Sequence, residues 1–245
     1  MIWLSVMIKY IRGDSVEPWF AERLKSLDIE PTPAMMEKFA LYHAFLAEKN
    51  AVMNLTAISG EEDVYRKHFL DSLSLVKAFS PAGKTLLDVG SGAGFPSIPL
   101  KIVFPSLRVT IIDALDKRIG FLRELCVKLG MPDVELIHGR AEEYGKKNHF
   151  GIVTARAVAP MNMLTELCLP FVKVGGLFLA MKSPGCEAEL DIAGNAVRIL
   201  GGTREPVIPY RLDEGTEHWL VPVRKTRETG PGYPRTFAMI KKKPL

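Results

Sequence analysis

The stretch Thr85-Leu-Leu-Asp-Val-Gly-Ser-Gly-Ala-Gly-Phe-Pro96 constrains the fold more than any other part of the chain. Residues 85–89 read as a buried strand. Gly90, Gly92 and Gly94 then form a turn that backbone bearing a Cβ would resist and that a ligand can approach closely. Pro96 and Pro99 fall in the first turn of the next helix, where a missing N–H costs little. Strand, turn and helix together predict a nucleotide-sized site at the carboxyl end of a strand, facing a helix N-terminus.

The glycine spacing narrows the ligand. A dinucleotide fingerprint wants a third glycine where this chain has Phe95, and the Gly-Lys-Ser/Thr of a phosphate loop is missing from the stretch. An acid, Asp88, followed by G-x-G-x-G resembles the first motif of class I methyltransferases, which bind S-adenosylmethionine (SAM); the alternative is a glycine-rich turn that holds no ligand. Asp113 ends the next predicted strand, close to the spacing at which nucleotide folds place the acid that takes ribose hydroxyls. A surface aspartate capping the following helix is the other reading. After the third strand, the Ala141 N–H would meet an adenine edge. Glu142 beside it is either part of that site or a first-turn acid favoured by the helix dipole.

The rest of the chain alternates in the way a parallel sheet requires. Strands are expected over 85–89, 108–113, 134–138, 151–155 and 176–181, with helices over 96–104, 116–129, 161–170 and 187–200 and a short one from Ala141. Two last strands, 205–211 and 217–224, read as a hairpin. The fold class is therefore α/β, with a mostly parallel seven-stranded Rossmann-like sheet of the class I SAM-dependent methyltransferase type. Three helices precede it, over 16–29, 34–50 and from Ser59 to about Phe79. Met35, Phe39, Tyr42 and Leu46 share one face of the second, and Phe69, Leu73 and Val76 form the stripe of the third. Four divisions result: an extension over 1–15, a helical cap over 16–80, the SAM-binding domain over 81–225 and a basic tail over 226–245.

Composition bounds the setting. In 245 residues no apolar run approaches the roughly 20 needed to span a bilayer. Met1 to Met7 lacks the flanks of a signal peptide, and Cys126, Cys168 and Cys186 are too scattered for a zinc site or disulfide framework. These point to a cytoplasmic protein without a metal, expected to be monomeric. The net charge is +4, yet residues 224–245 carry seven cations against one acid, so the remainder is slightly acidic. Such a tail either neutralises nucleic-acid phosphates or is simply solvated.

The candidate chemistry is equally bounded. The fourth strand ends Thr154-Ala-Arg-Ala157, without the Asp/Asn-Pro-Pro-aromatic run expected for methylation of an exocyclic base amine. Arg156 would be a cation where cofactor and substrate meet, holding the cofactor carboxylate or a substrate phosphate, or else a structural ion pair. Cys186 is the one candidate for the cysteine that 5-methylcytosine chemistry needs, and it lacks an evident base partner. A guanine N7 needs neither: its in-plane lone pair attacks without losing a proton, and alignment is the main demand on the site.

Taken in order, Asn54-Leu-Thr-Ala57, His68-Phe-Leu-Asp-Ser72, Leu87 to Leu100, Asp113 to Leu122, Gly139-Arg-Ala-Glu142 and Ala155-Arg-Ala157 resemble the bacterial small-subunit rRNA guanine-N7 methyltransferases, the RsmG or GidB family. The likeness runs from about Ala34 to the C-terminus. It implies SAM as cofactor, 16S rRNA or the small ribosomal subunit as partner, and one guanine, position 527 of that rRNA, as substrate. Cofactor contacts are implied at Asp88, Gly90, Gly92, Gly94, Phe95, Asp113, Ala114, Ala141, Glu142 and Arg156, although Ala114 stands where the pattern favours serine. Asn54, Thr56, Arg66, His68 and Asp71 are expected to line the RNA entry, with Arg156 and Lys182 as the catalytic cations. For His68 and Asp71 a pairing inside the cap is an equal alternative. A SAM methyltransferase of another substrate and a non-catalytic RNA-binding assembly factor are the competing functions.

Overall fold

The centre of the sheet is β1 (Thr85–Val89), in which Leu86 through Val89 are all buried. A strand covered on both faces cannot alternate polar and apolar residues, and this one does not. It pairs in parallel with β2 (Arg108–Asp113) on one side and β4 (Phe150–Arg156) on the other. Beyond these lie β3 (Glu135–His138) and β5 (Val172–Lys182), also parallel to their neighbours. The chain leaves β1 for β2 in one direction and returns for β4 in the other. The crevice between their carboxyl ends is the switch point at which such sheets bind ligands. This is a computed structural model; it describes residues 17–156, 158–212 and 217–245. The expected extension 1–15, Val16 and Ala157 lie outside the described residues.

The far edge corrects the expected strand count. The hairpin strand β8 (Glu217–Lys225) runs antiparallel to β5, from Leu177↔Arg224 to Lys182↔Trp219. Its other side pairs with two short strands, β6 (Gly202–Arg204) and β7 (Ile208–Arg211), making eight among the described residues in place of seven. The strand expected over 205–211 begins only at Ile208, and β6 lies before it; Pro206 has no N–H for the ladder, while the Glu205 N–H still reaches the Pro222 carbonyl.

The cap covers one face of this sheet. Helix α1 (Glu17–Lys25) is shorter than expected; α2 (Pro33–Met53) is longer and is capped by the Thr32 side chain at the Met35 N–H. Helix α3 (61–77) opens as Glu61–Val64, widens into a π-helical segment Tyr65–Leu70, and tightens through Asp71–Leu73 to 3₁₀ geometry at Ser74–Lys77. Phe39, Tyr42 and Leu46 are buried as their spacing requires, and Phe20, Phe39, Tyr65, Phe69, Tyr42 and Phe95 form a continuous chain of ring contacts from α1 to the glycine turn. Helices α4 (Ser97–Val103) and α5 (Asp116–Lys128) complete that side.

The opposite face is covered by α6 (Met161–Cys168), then α7 (Glu187–Ile192) and α8 (Gly194–Ile199), which divide at Ala193 the single helix expected there. The C-terminal segment packs here too. Helix α9 (Phe237–Lys242), which was not anticipated, seats Ile240 in the core, while Arg235 grips the fully buried Glu166 through Nε and Nη2 at 2.8 and 2.6 Å and through its backbone N–H at 2.9 Å. Two of the seven cations counted at the C-terminal end, Lys225 and Arg235, are held inside by tertiary contacts. Arg224 pairs with Glu205, and Lys225, drawn down to about 8 by burial, bonds the Leu169 and Leu200 carbonyls. Lys241, Lys242 and Lys243 remain at the surface.

Candidate functional site

The turn after β1 is shaped by two different demands on its glycines. At Gly94, with φ +102°, an added Cβ would lie within 3 Å of Ile98, Leu122 and the Tyr42 hydroxyl, so the core excludes it. At Gly92, with φ +63°, the same direction is open. Backbone lies bare there on the ligand side. Gly90, with φ +73°, sits beneath Val158, whose Cγ2 would be 2.9 Å from a Cβ. The Tyr42 hydroxyl donates to the Ala93 carbonyl at 2.5 Å, tying the turn to the cap.

The two acids behind this turn differ in role. Asp113 is 2% exposed; Oδ2 accepts from the Gly92 N–H at 3.1 Å and from Arg118 at 3.3 Å, and Oδ1 accepts from the Leu115 N–H at 3.0 Å. It therefore braces the turn. Asp88 lies wholly buried below; Oδ2 accepts the Ser97 N–H at the start of α4, and Oδ1 has no partner. Burial pushes its carboxyl up to about 7, the Ser97 bonds and Arg156 opposing and Asp113 reinforcing. A raised acid holds its proton in the fold, so its contribution to stability is full below the unfolded value near 4 and declines as pH climbs to 7. Urea midpoints measured from pH 4 to 7 are expected to show that decline, on the order of 3–4 kcal/mol from this group, and Asp88→Asn to remove it.

The other end of the crevice is built by the π-helical segment. In it the Asp71 N–H bonds the Arg66 and His68 carbonyls. The Lys67 carbonyl between them accepts Arg156 Nη1 at 3.2 Å. The same guanidinium donates to Asp71 Oδ2 at 2.9 Å and to His68 Nδ1 at 3.0 Å, and stands 5.1 Å from the centre of the Phe95 ring. Because Nδ1 accepts, the His68 proton is on Nε2, which donates to Thr56 Oγ1 at 2.8 Å. Burial first and Arg156 second pull His68 down to about 3, so it is neutral, stacked on Phe95 at 4.3 Å. One cluster thus joins the cap, the glycine turn and the end of β4.

A helix-covered sheet with this turn at its switch point matches known methyltransferase folds. A Bacillus YcgJ structure shares the topology with a TM-score of 0.53 at 13% identity, over 65% of this chain and 100% of that one. The TYW2 structure of M. jannaschii, in complex with AdoMet, does so at 0.52 and 14%, over 63% of this chain and 76% of its own. In sequence, residues 35–209 match the model of the GidB family, described as rRNA small subunit methyltransferase G. The chain belongs to this family. Ribosomal RNA small subunit methyltransferase G of Staphylococcus epidermidis is 47% identical over 232 residues, spanning 93% of this chain and 97% of that protein.

As a GidB-family protein the chain is SAM-dependent, and its turn fits that cofactor: Gly92 leaves an open cradle, and Ser91 Oγ and Asp88 Oδ1 are buried polar atoms without partners there. Ala114 and Leu115 are exposed beyond Asp113, an apolar shelf suited to an adenine face. Ala141 is buried and opens a 3₁₀ turn with Glu142 next to it, half-buried.

Other expected site residues of this GidB-family chain lie apart from the Arg156 cluster or play a supporting part. Lys182 is committed: Nζ bonds Glu189 at 2.5 Å and the Ala159 carbonyl at 3.2 Å, and Glu189 also accepts the Met161 N–H. It fastens the 158–161 loop that overhangs Gly90. Arg66 pairs with Glu62 and lies 5.4 Å from Trp19 of α1. Asn54 is exposed and ends α2 in the left-handed conformation at φ 50°. Thr56 is placed by Asn50, whose amide bonds the Leu55 and Thr56 N–H groups and the Thr56 carbonyl. Asn50, Glu189, Tyr210 and His218 were missed: Tyr210 and His218 reach Asp71 across more than 130 residues, whereas Asn50 and Glu189 act within about 30 residues and Asn50 carried a local signal four residues before Asn54.

Proposed function

We propose that this chain transfers the SAM methyl group to N7 of one guanine of small-subunit rRNA, the position-527 base in the family's reading. One observation carries the choice of nucleophile: His68, Asp71 and Asp113, gathered around Phe95 and Arg156, are already committed, and Asp88 is sealed beneath the turn with no exposed surface. Both His68 nitrogens are bonded, and Asp71 is shared between Arg156 and Tyr210. Asp88 is buried and Asp113 has three donors. A substrate that must lose a proton before attack finds no base here, whereas guanine N7 attacks with its own lone pair.

The cofactor supplies a methyl group already activated on its sulfonium. The protein's part is placement. Gly92 presents bare backbone, Asp113 orders the turn, and Arg156 keeps one Nη2 hydrogen and Nε for an anionic group at the crevice. Alignment of this kind is worth up to about 7–11 kcal/mol. The cap residues Asn54 and Thr56 and the surface lysines of α9 are assigned to rRNA contact, and the working form is a cytoplasmic monomer.

Reverse-transcription mapping of 16S rRNA from a strain deleted for the gene is expected to show the 7-methylguanine missing, restored by this chain and not by Arg156→Ala. Restoration of a different modification, or of none, would overturn the reading.

A further inference from the structure

We infer that Tyr210, on the β7–β8 hairpin, is a positioning residue for Arg156, acting through Asp71. Its hydroxyl donates to Asp71 Oδ1 at 2.6 Å across 139 residues of sequence. The other oxygen, Oδ2, takes Arg156 Nη1 at 2.9 Å. The Tyr210 side chain is 5% exposed, and the His218 ring lies 5.3 Å from it, with Nδ1 3.6 Å from the same Oδ1. The hairpin is at the far edge of the sheet and shares no motif with the glycine turn, yet it completes the shell around the guanidinium.

The division of Asp71 between two partners decides where Arg156 points. A carboxylate and a guanidinium left to themselves adopt a two-pronged pairing. Here the Tyr210 hydroxyl holds Oδ1, so the contact is single. Arg156 Nη2 is thereby free to donate to His68 Nδ1, and the guanidinium stays 5.1 Å from the Phe95 ring centre. Without the hydroxyl, Oδ1 is a buried acceptor seeking a donor, and Arg156 already bonds the other oxygen of the same carboxylate. The carboxylate would turn to take both of its prongs and draw it away from His68.

This rests on the reading that Arg156 serves methyl transfer, and the test separates the two. Tyr210→Phe keeps the ring and removes one hydroxyl. Its kcat on small subunits, normalised to the fraction of protein that binds SAM, is expected to fall about tenfold. In an Arg156→Lys background the same change is expected to cost less than about twofold, because the group being positioned is gone. The ¹⁵N shift of His68 Nδ1 should move in Tyr210→Phe, a change that loss of stability alone does not produce. If Arg156→Lys leaves kcat intact, the underlying reading falls and this inference with it. If Arg156→Lys is impaired but the losses multiply independently, or the His68 signal stays put, Tyr210 is merely structural and the inference alone is overturned.

Discussion

Gly90→Asp is expected to abolish SAM binding while leaving the sheet folded. Gly90 sits at φ +73°, a conformation that costs an L-residue about 1–3 kcal/mol. The new Cβ would stand 2.9 Å from Val158 Cγ2, pushing up the loop that Lys182 and Glu189 fasten over the turn. The added carboxylate would also lie on a turn already bonded to the buried Asp113 carboxylate. Strain, displaced loop and like charge act in one direction, and titration calorimetry should record a loss of at least ~100-fold in affinity. Gly90→Ala retains the strain and the contact without the charge and should lose about tenfold. Undiminished affinity in the aspartate variant would mean that the cofactor does not lie on this turn.

Glu166→Ala is expected to give the largest loss of stability with the least effect on the cofactor site. Glu166 has no exposed surface, and both oxygens plus the backbone contact go to Arg235, itself 17% exposed. Removing the acid leaves a largely desolvated guanidinium with nothing to pair with. Breaking a buried pair costs about 3–5 kcal/mol, and the residual exposure of Arg235 places this one toward the lower figure. For a chain of this size the melting temperature should drop by roughly 6–12 °C. Since Arg235 fastens α9, limited proteolysis should begin within 226–236, with SAM affinity changed less than about threefold. A wild-type cleavage pattern would show that Ile240 and its neighbours hold the segment without the ion pair.

Much of the site was legible because its signals are local. The glycine turn, the acid before it and Asp113 lie within one strand–turn–helix–strand unit, where spacing along the chain is spacing in space. The buried strands announced themselves as short apolar runs, and β1 and β2 begin and end where the pattern puts them. Arg156 was legible as a cation at a strand end. Its partners were not, since Lys67, His68 and Asp71 lie 85 or more residues away and face it through a π-helical segment that no propensity encodes. The charge of the C-terminal segment misled for the same reason. Composition counts Arg235 and Lys225 as solvated cations, whereas tertiary contacts turn both inward.

Sequence by itself determined the class of fold, the place of the glycine turn and the family, because repeating strand–helix units and glycines at φ-demanding positions are properties of short segments. Only the tertiary structure decided what each charged group does. Whether a lysine or an aspartate binds substrate, braces a loop or seals a core depends on which distant carbonyl or carboxylate it meets and on how much water remains around it.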